Sequence, residues 1–298
     1  MSHSHAHSHG RQPGGHGRAF AIGVSLNIVY VLIEGAYGFW SNSLALLADA
    51  GHNLSDVLGL LLAWAGYALS QLGASDRRTY GWRGTSILAA LFNALLLLVA
   101  VGGIVWEAAG RFLEPVSPET TTVMIVASIG VVINTITALL FMRGGEHDLN
   151  LRGAFLHMAA DAAVSLGVVL AALAIRQTGW QWLDPATSLA IAVVIFLSTW
   201  NLLKESFNLS IQAVPKDIDV NEVRLLLAGL PGVEQVHDLH VWAMSTTQIA
   251  LTAHLLKPTP DGDDDLLRRA ARELHDRFGI EHVTIQLERT PGCIGCPC

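Results

Sequence analysis

The sequence predicts a bundle of six transmembrane helices followed by a small cytoplasmic α+β domain in the order αββαβ. Three observations predict it. Of 298 residues, 51% are hydrophobic and 14% charged, against about 25% charged in soluble domains. Six windows are long and apolar enough to cross a bilayer of about 30 Å hydrocarbon thickness. Beyond residue 207 the apolar windows give way to short strand and helix patterns.

The six windows are Ala19–Trp40, Leu44–Leu69, Thr85–Ala109, Thr120–Met142, Ala154–Ile175 and Leu183–Leu203. The first is preceded by a His/Ser/Gly segment and Arg18 rather than by a signal peptide, so it is expected to stay in the mature chain. Arg11 and Arg18, then Arg77, Arg78 and Arg83, then Arg143 and Arg152, then Lys204 and Lys216 all fall on one side of the six-span arrangement; the other side holds Arg111 and Arg176, at helix ends. The positive-inside rule then places both termini in the cytoplasm, in a multi-pass protein of the inner (plasma) membrane. Residues 1–18 are expected to be a disordered His-rich tail, 19–207 the membrane domain, 208–290 the soluble domain and 291–298 a Cys-containing tail.

In the soluble part, Asp219 with Glu222 three residues on reads as a capping box opening a helix through Gly229, which Pro231–Gly232 closes. Glu234–Met244 and Thr247–Leu256 read as a hairpin, Asp263–Phe278 as a helix and His282–Glu288 as a final strand. An antiparallel sheet with helices on one face is the expectation. A turn at Ser245–Thr246 places His237 directly opposite His254, with Cβ atoms about 5 Å apart. His240, three residues from His237, is then expected on the opposite face.

The polar residues inside the membrane windows carry the chemistry. His52 and Asp56 are i and i+4 on span 2, so they stack on one helix face, and His157 and Asp161 repeat that spacing on span 5. Face to face, the four side chains supply two nitrogen and two oxygen donors, a set that satisfies tetrahedral Zn²⁺; Mg²⁺ and Ca²⁺ favour oxygen alone. Each pair can also be read as a hydrogen bond tying helices together. Two identical pairs in separate spans favour the metal reading, because intramembrane ionisable groups are functional by default. Asp49 has two readings, an accessory partner that orients His52 or a residue at the membrane boundary in water. Asn27 and Glu34 on span 1, with Asn93 and Asn134 on spans 3 and 4, are accounted for by interhelical hydrogen bonding.

Several function classes are excluded or disfavoured. A net charge of −7 does not provide the basic face that nucleic acid requires. An intramembrane metalloenzyme calls for His-Glu-x-x-His and an open coordination position; the sequence lacks that motif, and two His–Asp pairs close the site. A membrane zinc sensor without transport stays open on the residues alone.

"EGAYGFWSNSLALLADAGHNLSD" (Glu34–Asp56), "YGWR" (Tyr80–Arg83), "LNLRGAFLHMAADAAVS" (Leu149–Ser165) and "PGVEQVHDLHVW" (Pro231–Trp242) resemble the cation diffusion facilitators, the zinc-type branch in particular, over nearly the whole chain apart from its tails. The resemblance implies a six-helix transporter with a metallochaperone-like cytoplasmic domain. Such a protein works as a homodimer and exports Zn²⁺, and often Cd²⁺ or Co²⁺, in exchange for protons. It implies a transport site of His52, Asp56, His157 and Asp161, and His52 where some relatives have Asp favours zinc. It also implies cytoplasmic metal sites involving His237, His254, Asp264 and Glu288, although Gln286 stands where some members have a metal-binding histidine. On the residues alone, His237 and His254 can equally be hydrogen-bonded surface residues. The tails hold His3, His5, His7 and His9, and a "CIGCPC" run with Cys293, Cys296 and Cys298. Each is either a soft-metal tract or a dispensable tail.

Overall fold

In a computed structural model, residues 16–70, 72–142 and 149–290 are described. The His-rich start, the cysteines and most of the loop before Gly153 therefore lie outside the described residues. Six long helices are followed by a small α+β fold: α1 His16–Trp40, α2 Leu44–Ser70, α3 Thr85–Leu113, α4 Thr120–Met142, α5 Leu149–Thr178 and α6 Leu183–Ser210, then α7 Val220–Ala228, β1 Gln235–Ala243, β2 Ile249–Leu256, α8 Asp263–Phe278 and β3 Ile280–Glu288. Among the described residues four helices are long and apolar enough to cross a membrane: α3, α4 over Thr120–Leu139, α5 over Phe155–Thr178, and α6. The helices α1 and α2 stand where the first two spans are expected, and side chains of both lie partly outside the described residues.

The chain divides into two compact units, residues up to Leu58 with Leu97–Leu197, and Gly59–Leu96 with residues from Ser198 onward. In the first, small and β-branched residues of five helices meet: Ala48 of α2, Val101 of α3, Val123 and Ala127 of α4, Val168 and Ala172 of α5, and Ile191 and Ile195 of α6. The opposite faces of the same helices expose Val99, Trp106, Val193 and Leu197, the outward apolar surface that lipid requires.

One buried carboxylate organises the helix ends in this unit. Asp184, in the first turn of α6, accepts hydrogen bonds from Ser43 Oγ (2.7 Å) and from the backbone amides of Leu44 (2.8 Å) and Ala45 (3.3 Å). Those amides open α2 and lack partners within their own helix, so Asp184 caps α2 from a distant position. Arg111 of α3 approaches the same carboxylate at 3.5 Å.

The second unit contains the α+β fold. Asp219 caps α7 by accepting from Asn221 N at 2.8 Å, and Gly229 closes it. The sheet order is β1-β2-β3. Its β1/β2 pair is antiparallel, whereas β2 and β3 run parallel, which corrects the expectation of a wholly antiparallel sheet. The reason is the intervening helix: α8 carries the chain back across the sheet, as a parallel connection requires. Leu227 of α7, Leu251 and Leu255 of β2, Leu274 of α8 and Ile280 of β3 are all fully buried and form the core. Beside it, Lys257 and Arg289 both bind Asp263 at the start of α8; the Arg289 bond first, and Lys257 second, hold that carboxyl below the usual carboxylate range.

The hairpin contains an irregularity that the sequence does not announce. Gln235, Val236 and His237 pair with Leu256, Leu255 and His254, but after a bulge His240 pairs with Thr252 and Ala243 with Ile249. Asp238 and Leu239 together face the single residue Ala253. Because His254 and Thr252 lie on one face of β2, His240 shares the face of His237, and the expectation that they lie on opposite faces is overturned. The expected pairing of His237 with His254 occurs, although the turn is one residue longer than expected, with Met244 facing Gln248; the bulge compensates for the extra residue.

Candidate metal centres

In the first unit, α2 and α5 present their polar residues to each other. The i, i+4 spacing stacks His52 over Asp56 and His157 over Asp161. Asp161 lies between the two imidazoles: Oδ1 is 3.2 Å from His52 Nε2 and Oδ2 is 3.8 Å from His157 Nε2. Asp56 Oδ2 is 3.4 Å from His157 Nε2, and the two rings meet edge-on, with centroids 6.5 Å apart. Ligand atoms of His52, Asp56 and Asp161 lie within 4.8 Å of one another. The exposure is graded: Asp161 is 2% exposed, His52 13%, Asp56 24% and His157 46%. Asp56 Oδ2 is buried and forms no well-aligned hydrogen bond, its near neighbour being the His157 ring. Two imidazole nitrogens and two carboxylates suit a borderline-soft ion of tetrahedral preference.

A second polar layer adjoins these residues. Asp49 is fully buried, not at a watery boundary, and accepts from Ser165 Oγ of α5 at 2.8 Å rather than from the His52 ring. Glu34 of α1, also fully buried, accepts from Tyr30 at 2.7 Å and from Asn53 of α2 at 2.9 Å. The Tyr30 hydroxyl reaches this position because Gly130 of α4 has no side chain there; a Cβ would collide with it. Tyr30, Asn53 and Ser165 were not evident from the sequence. The available signal was spacing, since Tyr30 lies four residues before Glu34 and Ser165 four after Asp161.

The second unit holds another cluster. His254 Nδ1 is 3.0 Å from Glu288 Oε1, and His237 Nε2 is 3.2 Å from Glu288 Oε2. The two rings are 5.4 Å apart, and ligand atoms of the three residues lie within 4.8 Å of one another. His237 Nδ1, His254 Nδ1 and Glu288 Oε2 are buried and form no well-aligned hydrogen bond despite these short ion-pair distances, a donor set that a cation can satisfy. Gln286, opposite His254 across β2 and β3, donates to Glu288 Oε1 at 3.1 Å and so steadies the carboxylate. Asp264 is not brought to this cluster; it is exposed on the first turn of α8. His3, His5, His7 and His9, with Cys293, Cys296 and Cys298, lie outside the described residues.

Apolar helices enclosing an imidazole–carboxylate cluster, followed by an α+β fold with a second such cluster, are the architecture of a membrane protein with two candidate metal centres. The cation efflux transmembrane domain matches residues 20–209, and the cytoplasmic domain of cation efflux proteins matches residues 215–290. The chain belongs to the cation efflux family, whose members are transporters and not enzymes. It is 38% identical over 292 residues to the metal cation efflux system protein CzcD of Cupriavidus metallidurans, covering 98% of this chain and 92% of that protein. It is 37% identical to the zinc transporter ZitB of Escherichia coli, covering 100% and 96%. With the cadmium, cobalt and zinc/H(+)-K(+) antiporter of Bacillus subtilis the identity is 35%, covering 94% and 91%. The metal-bound C-terminal domain of the CzcD transporter, a solved structure, is 38% identical over 24% of this chain and 99% of that one, with a TM-score of 0.23.

Proposed function

We propose that the protein exports Zn²⁺, with Cd²⁺ and Co²⁺ as further substrates, from the cytoplasm across the inner membrane in exchange for protons. In this reading all six long helices cross the bilayer, both termini are cytoplasmic and the working unit is a homodimer. The observation that carries it is the unbroken run of contacts from His52 through Asp161 and His157 to Asp56, which joins α2 to α5. The similarity to a zinc transporter and to a cadmium, cobalt and zinc/H(+)-K(+) antiporter supports the substrates and the exchange.

The chemistry follows from the donor set. A cation binds neutral imidazole and ionised carboxylate, so binding and protonation compete for the same atoms. A neutral cytoplasm and a more acidic exterior bias that competition in opposite directions on the two sides. Facing inward, the cluster exchanges its protons for the cation; facing outward, it does the reverse. Each orientation is then favoured by a different ligand, which is the condition for a population shift. In the cytoplasmic domain, His237, His254 and Glu288 would hold a resident zinc ion, which would supply a fixed positive charge linking the strands and a means of sensing cytosolic zinc.

The test uses purified protein in liposomes with an imposed pH gradient. Zinc flux follows the gradient in the native protein, and alanine at any one of His52, Asp56, His157 or Asp161 abolishes it. Undiminished flux in the combined His157→Ala, Asp161→Ala variant would falsify the site assignment.

A further inference from the structure

Asp238 is the most irregular residue of the second cluster's surroundings. It is the extra residue of the β1 bulge and has φ +48°, a left-handed conformation that Asp and Asn adopt more readily than most side chains. Without the bulge, strict alternation would turn the residue after His237 toward the apolar core, where an unpaired carboxylate is costly. With it, Leu239 packs against the core, and the Asp238 carboxylate joins the histidine face. Its Oδ2 lies 3.5 Å from His254 Nε2, and its Oδ1 lies 2.9 Å from His240 Nε2.

His254 therefore sits between two carboxylates, with Nε2 toward Asp238 and Nδ1 toward Glu288. The two sides are not equivalent. The Nδ1 side faces Glu288 and, beside it, His237, donors that one cation can share, whereas the Nε2 side ends at a carboxylate already held by His240. An ionised carboxylate only accepts hydrogen bonds; once Glu288, 3.0 Å from Nδ1, is engaged by a cation, Asp238, 3.5 Å from Nε2, holds the proton on Nε2 and leaves the Nδ1 lone pair for the metal. Carboxylates that hold a ligating histidine in this way fix its tautomer and orientation.

We infer that Asp238 is a positioning residue that makes Nδ1 the nitrogen of His254 offered to a cation held with His237 and Glu288. The inference rests on the proposed cytoplasmic metal site. Two measurements on the full-length protein in detergent test it. In ¹⁵N-histidine-labelled, zinc-loaded protein, with His254 assigned by its loss in His254→Gln, the expected spectrum has Nδ1 bound to metal and the proton on Nε2; metal on Nε2 overturns the inference. The second is chelator competition for zinc in an Asp161→Ala background, which removes the membrane site from the titration. There Asp238→Asn, which keeps a residue tolerant of the left-handed backbone, is expected to weaken binding roughly 10–100-fold. Unchanged affinity in Asp238→Asn, while Glu288→Gln weakens binding, overturns the positioning role and leaves the site intact. Unchanged affinity in both Glu288→Gln and His237→Ala instead overturns the cytoplasmic site itself.

Discussion

Glu34 shows how much a single residue can settle in an apolar bundle. Its carboxylate is fully buried and accepts from Tyr30 and from Asn53, next in sequence to His52, so it ties α1 to the stretch of α2 that bears the cluster. Removing it leaves the Asn53 amide without its acceptor and the Tyr30 hydroxyl with only the longer bond to the Val126 carbonyl, 3.3 Å, at about 1–3 kcal/mol for an unsatisfied group. Glu34→Ala is therefore expected to lower the thermal unfolding midpoint of the detergent-solubilised protein clearly. Glu34→Gln, which keeps a carbonyl acceptor, should lower it less, and equal midpoints for the two variants would show that these bonds contribute little. Of the residues around the membrane cluster, the four ligand candidates were legible because helical spacing puts i and i+4 on one face. Tyr30, Asn53 and Ser165 were not. An isolated hydroxyl or amide in an apolar window has many explanations until its partner on another helix is known.

Elements meet here through groups far apart in the chain. Asp184 begins α6, yet it caps α2 and pairs with Arg111 of α3. An acidic residue just before Pro185 at a helix start is an N-terminal signal, but it gives no hint that the helix being capped is another one. Breaking one side of a buried ion pair typically costs about 3–5 kcal/mol, reduced here because Arg111 keeps the Glu107 carboxylate at 3.1 Å. Asp184→Ala should therefore unfold at a markedly lower temperature, and adding Arg111→Met should recover part of the loss. If the double variant is no more stable than the single one, the capping bonds rather than the charge carry the effect. The hairpin makes a similar point. Alternating apolar residues located β1 and β2 to within two residues, but the bulge at Asp238 depends on which residue enters the core, and that is decided by α7 and α8 packing on the sheet.

For the whole molecule, the proposed orientation gives a prediction that uses the chain's own chemistry. Its three cysteines, Cys293, Cys296 and Cys298, all lie in the last six residues. With the C-terminus in the cytoplasm, a membrane-impermeant maleimide should label inside-out vesicles and spare intact spheroplasts; labelling of intact spheroplasts would reverse the topology. By itself the sequence determined the composition of a membrane protein, the positions of the helices and strands, the order αββαβ and the two His–Asp pairs. These are properties of local spacing: hydrophobic period, run length and i, i+4 stacking need no knowledge of distant residues. Only the tertiary structure decided that Asp161 stands between both imidazoles, that Asp49 turns to Ser165 and that β3 runs parallel to β2. It likewise decided that Asp264 stays outside the cluster of His237, His254 and Glu288, and that the bulge swings His240 to their face. Each of these depends on which side chains from separate segments compete for the same buried space, and spacing along one segment does not encode that competition.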